Sequence, residues 1–206
     1  SSVASLCRKL SRPAFLVVPT PEDAVIAKRD LSDLLGADRV MLFPAREVMP
    51  FEHGGNQESL WMRVSTLAAL VAKEVAPPVV ILSATALFRL LIPPAQFREG
   101  CKRYTKGMAV SPSEIVRQLV GFGYEREFSV ESKGQIALRG GILDVFSPSA
   151  DAPVRFEFAF DEIESIRTFD PETQVSIDNV DQVFLTPAND VQEGHEGNDA
   201  TLLDYA

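Results

Sequence analysis

Hydrophobic residues recur along this chain in two rhythms, and the change from one to the other falls near residue 98. Before it, short apolar runs at Ala14 to Val18, Val40 to Phe43 and Val79 to Leu82 predict buried strands. Between them, apolar residues return at helical spacing. Ala24, Ala27, Leu31, Leu34 and Leu35 line one such stretch, and Leu60, Val64, Leu67 and Val71 line the next. Thr20-Pro21-Glu22-Asp23 opens the first helix with a capping hydroxyl, a proline in the first turn and early acids, and Gly36 is placed to end it. Ser2 to Leu10 predicts a short helix, Pro44 to Gly55 a loop, and the residues up to Leu90 a further helix stopped by Pro93-Pro94. Strand and helix alternate three times, which predicts a parallel sheet with helices packed on it.

After residue 98 the period shortens to two. One helix opens at Ser111-Pro112-Ser113-Glu114, carries Ile115, Val116 and Leu119, and stops near Gly121 or Gly123. From Phe128 to Thr186 successive strands are predicted, joined by short polar turns. Val154, Phe156, Phe158 and Phe160 alternate onto a core face, with Arg155, Glu157 and Ala159 opposite. Ile136 and Leu138 likewise oppose Gln135, Ala137 and Arg139, and the Gly140-Gly141 pair permits a bend. Arg139 and Arg155 are thereby expected to share one solvent face. The expected fold is α/β, with residues 1–100 as a parallel-sheet domain and 101–188 as an inserted small α+β domain with an antiparallel sheet. Residues 189–206 are read as a linker and the start of the segment returning to the first domain, with acidic Asp190 to Asp199 as a flexible connection. The apolar pattern that begins at ATLLDYA suggests a piece of a longer protein.

Composition narrows the class. With 206 residues, 46% apolar and 24% charged, the chain reads as soluble and globular, and no apolar run approaches the roughly 20 residues that span a bilayer. Cys7 and Cys101 form no metal or redox motif, so reduced thiols in a cytoplasmic setting are expected. A net charge of -9 disfavours general attraction to nucleic-acid backbones.

Catalytic chemistry finds little support. Where a nucleotide-binding loop belongs, after the first strand, the chain reads Pro19-Thr20-Pro21-Glu22-Asp23, without glycine or a Lys-Ser/Thr pair. A helix capped by its own side chains accounts for that stretch. His53 and His195 each sit beside glycine without metal-ligand spacing and read as surface residues. Asp161, Glu162 and Glu164 read as solvated acids of a turn. The run Arg98, Lys102, Arg103, Lys106, interleaved only with Tyr104, reads as a solvated helix or linker face, with nucleic-acid contact as the alternative. No cofactor or metal is expected. Arg139 and Arg155 carry more chemistry, since a guanidinium presents a planar fork of donors to a partner's carboxylate. The competing account pairs Arg155 with Glu157, or Arg139 with a cross-strand acid.

At these residues the chain resembles a known family. RGGILDVFSP followed by VRFEFAFDEIESIRTFDPETQ is similar to the N-terminal region of the bacterial transcription-repair coupling factors, in the module they share with the excision-repair protein UvrB. Weaker similarity extends through FPAREVMPFE, RVSTLAAL, VVILSATAL and ATLLDY. UvrB itself fits less well, for the Walker loop and the tyrosine-rich hairpin expected near FPAREVMPFEHGGNQ are missing. The resemblance implies a degenerate helicase, RecA-like domain without ATPase activity, holding an insert that docks onto UvrA for nucleotide excision repair at stalled RNA polymerase. It implies partner-binding roles for Arg139, Arg155 and Glu157. The family's neighbouring aromatic is replaced here by Ala159, with Phe160 next to it. RNA polymerase and DNA would be met by domains outside this sequence, one of which masks the docking surface in the family, and the full-length protein would be an ATP-dependent DNA translocase. The alternative is a nucleic-acid-binding module on the same fold. That alternative would use the basic run near Lys102, whereas the docking reading requires both guanidinium groups free in solvent, and either one folded inward and neutralised by its own chain would end it.

Overall fold

The computed structural model describes residue 5 and residues 12–45, 57–72, 78–191 and 200–205. The expected helix at Ser2 to Leu10, with Cys7, lies almost wholly outside them, as do His53, His195 and most of the 44–55 loop. The chain divides into two compact units, one of residues 1–98 and 190–206, the other of residues 99–189.

The first unit holds a three-stranded parallel sheet, β1 (Ala14–Val18), β2 (Val40–Phe43) and β3 (Val79–Ser83), in the order β1-β3-β2. The central strand, β3, is buried along its whole length, which is why it is apolar from Val79 to Leu82 and polar only at its terminal Ser83. Helix α1 (Pro21–Leu35) lays Ala24 and Leu31 against Val40, Val79 and Ile81. Its first turn is capped internally, as the Thr20 hydroxyl oxygen accepts a hydrogen bond from the Asp23 N–H at 3.1 Å. Helix α2 (Gln57–Val71) buries Val64, Leu67, Ala68 and Val71. The helix expected up to Leu90 is shorter, ending at Leu87 (α3, Ala84–Leu87), because Leu91 pairs with Ala200 in an isolated β-bridge. Pro94 then begins a helix rather than only ending one: α4 (Pro94–Gly100) uses proline in its first turn, where no N–H is needed.

The described ends of the returning segment, residues 190–191 and 200–205, pack into the first unit. Asp190 is no part of a flexible connection: its side chain is 1% exposed and pairs with Arg63 of α2, itself 2% exposed, at 2.5 Å. Leu202 and Tyr205 are buried, and the Tyr205 hydroxyl donates to the Ile92 carbonyl at 2.6 Å. Residues 192–199 lie outside the described residues.

The second unit contains β4 (Lys102–Thr105), α5 (Pro112–Gly121), β5 (Glu125–Arg126), β6 (Gln135–Arg139), β7 (Ile142–Val145), β8 (Val154–Ala159), β9 (Glu162–Phe169), β10 (Ser176–Asn179) and β11 (Gln182–Leu185). Six of them form one sheet in the order β10-β9-β8-β7-β6-β5, antiparallel except where β5 runs parallel to β6, and β4 pairs separately with β11. Ile136, Leu143, Val145, Val154, Phe156, Ile163 and Ile166 face Ile115, Val116 and Leu119 of α5 across one core. The basic run is divided between elements: Arg98 lies in the last turn of α4, Lys102 and Arg103 lie on β4, and Lys106 follows that strand. Lys102 and Arg103 are exposed, and Tyr104 turns into the core against Phe156. Burial raises the Tyr104 hydroxyl pKa to about 12, with Glu114 adding to the shift.

One alternation fails. Phe160 does not join Val154, Phe156 and Phe158 on the core face; it is 98% exposed. The register of β8 against β9 shifts between Glu157 and Phe158, and the strand ends at Ala159, so Phe160 occupies the turn itself with φ 57°.

Candidate functional site

Register places the charged residues of the sheet on one face. Ala137, Asp144, Arg155 and Arg167 stand in one cross-strand row, and Arg139, Ile142, Glu157 and Ser165 stand in the next. Both rows lie opposite the α5 core, since directly paired residues share a face. Next to the first row, Val130, Ala137, Phe146 and Phe169 form a small apolar cluster of their own. This outer face is thus a partly buried charged layer on an apolar base.

Its centre is Asp144, a carboxylate with no exposed surface. Arg139 Nη2 donates to Oδ2 at 2.7 Å, while Arg155 Nε donates to Oδ1 at 2.7 Å and Nη2 to Oδ2 at 2.9 Å. One carboxylate therefore holds both arginines, the second in the two-pronged geometry that suits a guanidinium best. These hydrogen bonds outweigh burial and push the Arg155 pKa further up. Arg155 Nη1 donates to the Gln174 carbonyl at 3.3 Å, and its guanidinium lies over the Phe169 ring at 4.5 Å. Gln174 closes the Asp170-Pro171-Glu172-Thr173 turn, in which the Asp170 carboxylate accepts from the Thr173 and Glu172 N–H groups and the Thr173 hydroxyl. The Thr173 N–H and hydroxyl hold the Asp170 carboxyl below its ordinary pKa.

The two arginines stand side by side, but both are paired to Asp144, so the expectation of two guanidinium groups free in solvent is overturned and docking through such a free pair does not hold; only Arg139 keeps a substantial exposed face. The Arg155 side chain is 16% exposed, and its Nε, Nη1 and Nη2 all donate within the chain. Arg139 is 41% exposed, and its guanidinium lies 6.0 Å from the ring of Phe128. Of the competing pairings one holds and the other does not. Arg139 does meet a cross-strand acid, whereas Arg155 takes the same acid instead of Glu157. Glu157 binds Arg167 Nη2 at 3.0 Å and the Ser165 hydroxyl at 2.6 Å. Asp144 escapes a pattern reading because it looks like one more polar position between Leu143 and Val145; its pairing across to Arg155 is the missing signal. Phe128, 85% exposed, escapes because an aromatic after charged residues reads as the start of a strand.

Among the described residues, no group of three His, Cys, Asp or Glu side chains is placed to hold a metal ion, and no helix is long and apolar enough to cross a membrane.

Comparison with known proteins gives this face a context. Residues 103–190 match the family described as "UvrB interaction domain". The chain is 37% identical over 196 residues to the transcription-repair-coupling factor of Myxococcus xanthus, covering 92% of this chain and 16% of that protein. It is 32% identical over 197 residues to the factor of Haemophilus influenzae, covering 95% and 17%. It is 28% identical over 189 residues to that of Bacillus subtilis, covering 91% and 16%. The chain thus spans about a sixth of the length of these curated relatives.

Proposed function

We propose, from the match of residues 103–190 to the UvrB interaction domain family and the similarity of the chain to the transcription-repair-coupling factors, that this chain is a non-catalytic docking module that binds UvrA through the outer face of its six-stranded sheet. Within the longer protein it recruits UvrA for excision repair where RNA polymerase has stalled. RNA polymerase and DNA contacts, and ATP-driven translocation, belong to other parts of such a protein, as does any segment that masks this face. The first unit is a degenerate RecA-like domain acting in the cytoplasm. Its parallel sheet and the Thr20 side chain filling the start of α1 support that reading.

The observation that carries the proposal is the Asp144 cluster. In a chain of net charge -9, one buried carboxylate fixes a half-exposed arginine beside an exposed aromatic ring. Arg139 offers its remaining donors to a carboxylate of UvrA. Arg155, fully engaged, holds Asp144 and thereby Arg139 in place, and Glu157 with Arg167 forms the polar rim. Two ordered side chains lose less entropy on docking than two mobile ones.

The test is a calorimetric titration of this chain with purified UvrA. Arg139→Ala removes most of the binding heat with little change in thermal unfolding; unchanged affinity would refute the assignment. A nucleic-acid module is less well supported, because the one aromatic in the basic run, Tyr104, is buried.

A further inference from the structure

Among the described residues, two that are not glycine take a left-handed backbone, and one of them, Gln174 with φ 61°, touches Arg155. A side chain rarely sits on such a backbone, and where one does its surroundings have to hold it there. At Gln174 they do. Its N–H donates to the Asp170 carbonyl at 2.8 Å, closing the turn that begins there. Its carbonyl accepts from Arg155 Nη1 at 3.3 Å, and its Oε1 accepts from Arg155 Nη2 at 3.4 Å. Its Nε2 donates to the Pro171 carbonyl at 2.8 Å and to the Val130 carbonyl at 3.1 Å. Every polar group of the residue is thereby used, on partners from its own turn, from β8 and from the segment between β5 and β6.

These contacts bear on Arg139 by two routes. The first runs through Arg155. Asp144 accepts from Nε and Nη2 along one edge of that guanidinium, and Gln174 accepts from Nη2 and Nη1 along the adjacent edge. Held on two edges, Arg155 fixes Asp144, whose Oδ2 accepts from Arg139 Nη2 at 2.7 Å. The second route runs through Val130, which is fully buried in the cluster with Ala137, Phe146 and Phe169. Two residues before it stands Phe128, whose ring lies 6.0 Å from the Arg139 guanidinium. The Gln174 amide thus ties the segment beside Arg139 to the turn that braces Arg155.

We infer that Gln174 is a positioning residue of the docking face: by clamping Arg155 and the Val130 segment together, it orders Arg139 before UvrA arrives. This inference rests on the UvrA reading above and deepens it, because the readiness of Arg139 then depends on a residue that acts only through its neighbours. Ordering one long side chain at the moment of binding lowers affinity by about three- to tenfold, which sets the size of the expected effect.

The experiment compares the wild-type chain with Gln174→Met, which keeps the length of the side chain and removes its polar atoms, and with Gln174→Gly, which also relaxes the left-handed backbone. Each is titrated with UvrA, and the mobility of the arginine Nε–H groups in the folded chain alone is measured by nuclear magnetic resonance relaxation. Both variants bind UvrA about three- to tenfold more weakly than wild type. Arg155 and Arg139 become more mobile in both, while Arg167, whose hydrogen bond on the same face goes to Glu157, does not. If wild type binds and both variants match it within about twofold, the inference is overturned and the UvrA reading stands. Equal loosening of all three arginines would also overturn it, by making Gln174 a structural residue of the turn. Weaker binding by Gln174→Gly alone would do the same, by assigning the effect to the backbone. If the wild-type chain itself does not bind, the UvrA reading fails and the inference fails with it.

Discussion

Two carboxylates of this chain are almost completely buried against arginine, and they serve opposite ends. Asp190 meets Arg63 with both side chains sealed, at 1% and 2% exposure. Asp144 is sealed as completely, but its partners reach outward, Arg155 slightly and Arg139 by two-fifths of its surface. A buried charge pair rarely adds much net stability, because removing both ions from water costs about what their attraction returns. Breaking such a pair is costly all the same, since one charge is left stranded. The Arg63–Asp190 pair thus acts as a strut that ties the start of the returning segment to α2 of the first unit. Around Asp144 the same chemistry leaves one cation half in water, turning a strut into a mount. Exposure of the cation, rather than strength of the pair, separates holding a fold from presenting a surface.

That contrast can be broken in several ways. The largest loss is expected from Asp190→Ala, which strands a sealed guanidinium and destabilises the first unit by about 3–5 kcal/mol, while UvrA affinity measured on the folded chain is unchanged. Hydrogen exchange resolves the effect, with protection falling in β1 to β3 and persisting in β6 to β9. For Asp144→Asn the cost falls to about 2 kcal/mol, because both arginines retain some access to water, and it appears in the second unit. Unlike the first variant, it also weakens UvrA binding, and its arginine Nε–H protons exchange faster with solvent by nuclear magnetic resonance. Arg139→Ala should cost no more than about 1 kcal/mol, the usual value of a water-accessible ion pair, yet remove most of the binding. Equal losses of binding for the Asp144 and Asp190 variants would erase the distinction between mount and strut.

The smallest effect concerns the turn that braces Arg155. The Thr173 N–H and hydroxyl hold the Asp170 carboxyl below its ordinary pKa. The folded pKa is depressed, so its stabilising contribution is present above the unfolded carboxyl pKa and is lost as pH falls through the lower, folded value. Thr173→Val removes the hydroxyl and should move the Asp170 titration upward, as followed on the carboxyl carbon signal. An unmoved titration would assign the whole depression to the backbone N–H groups.

Much of this molecule is determined locally and can be read from the order of its residues. Three apolar runs separated by helical spacing specify a parallel sheet, because a strand buried on both faces has no polar position to spare. Thr20 and Ser111 cap their helices as expected, through hydrogen bonds to the Asp23 and Glu114 N–H groups three residues on. Period two likewise puts Arg139, Arg155 and Glu157 on the face opposite Ile136 and Phe156. The state of those residues was decided elsewhere. Which acid takes which arginine depends on the pairing of β7 with β8 and of β8 with β9, a long-range register that alternation alone leaves open. One bulge and one turn sent Phe160 to solvent against its period, and a contact spanning 127 residues buried Asp190 inside a stretch whose composition reads as linker. Periodicity says which side of a strand a residue occupies; only the assembled sheet says what waits for it there.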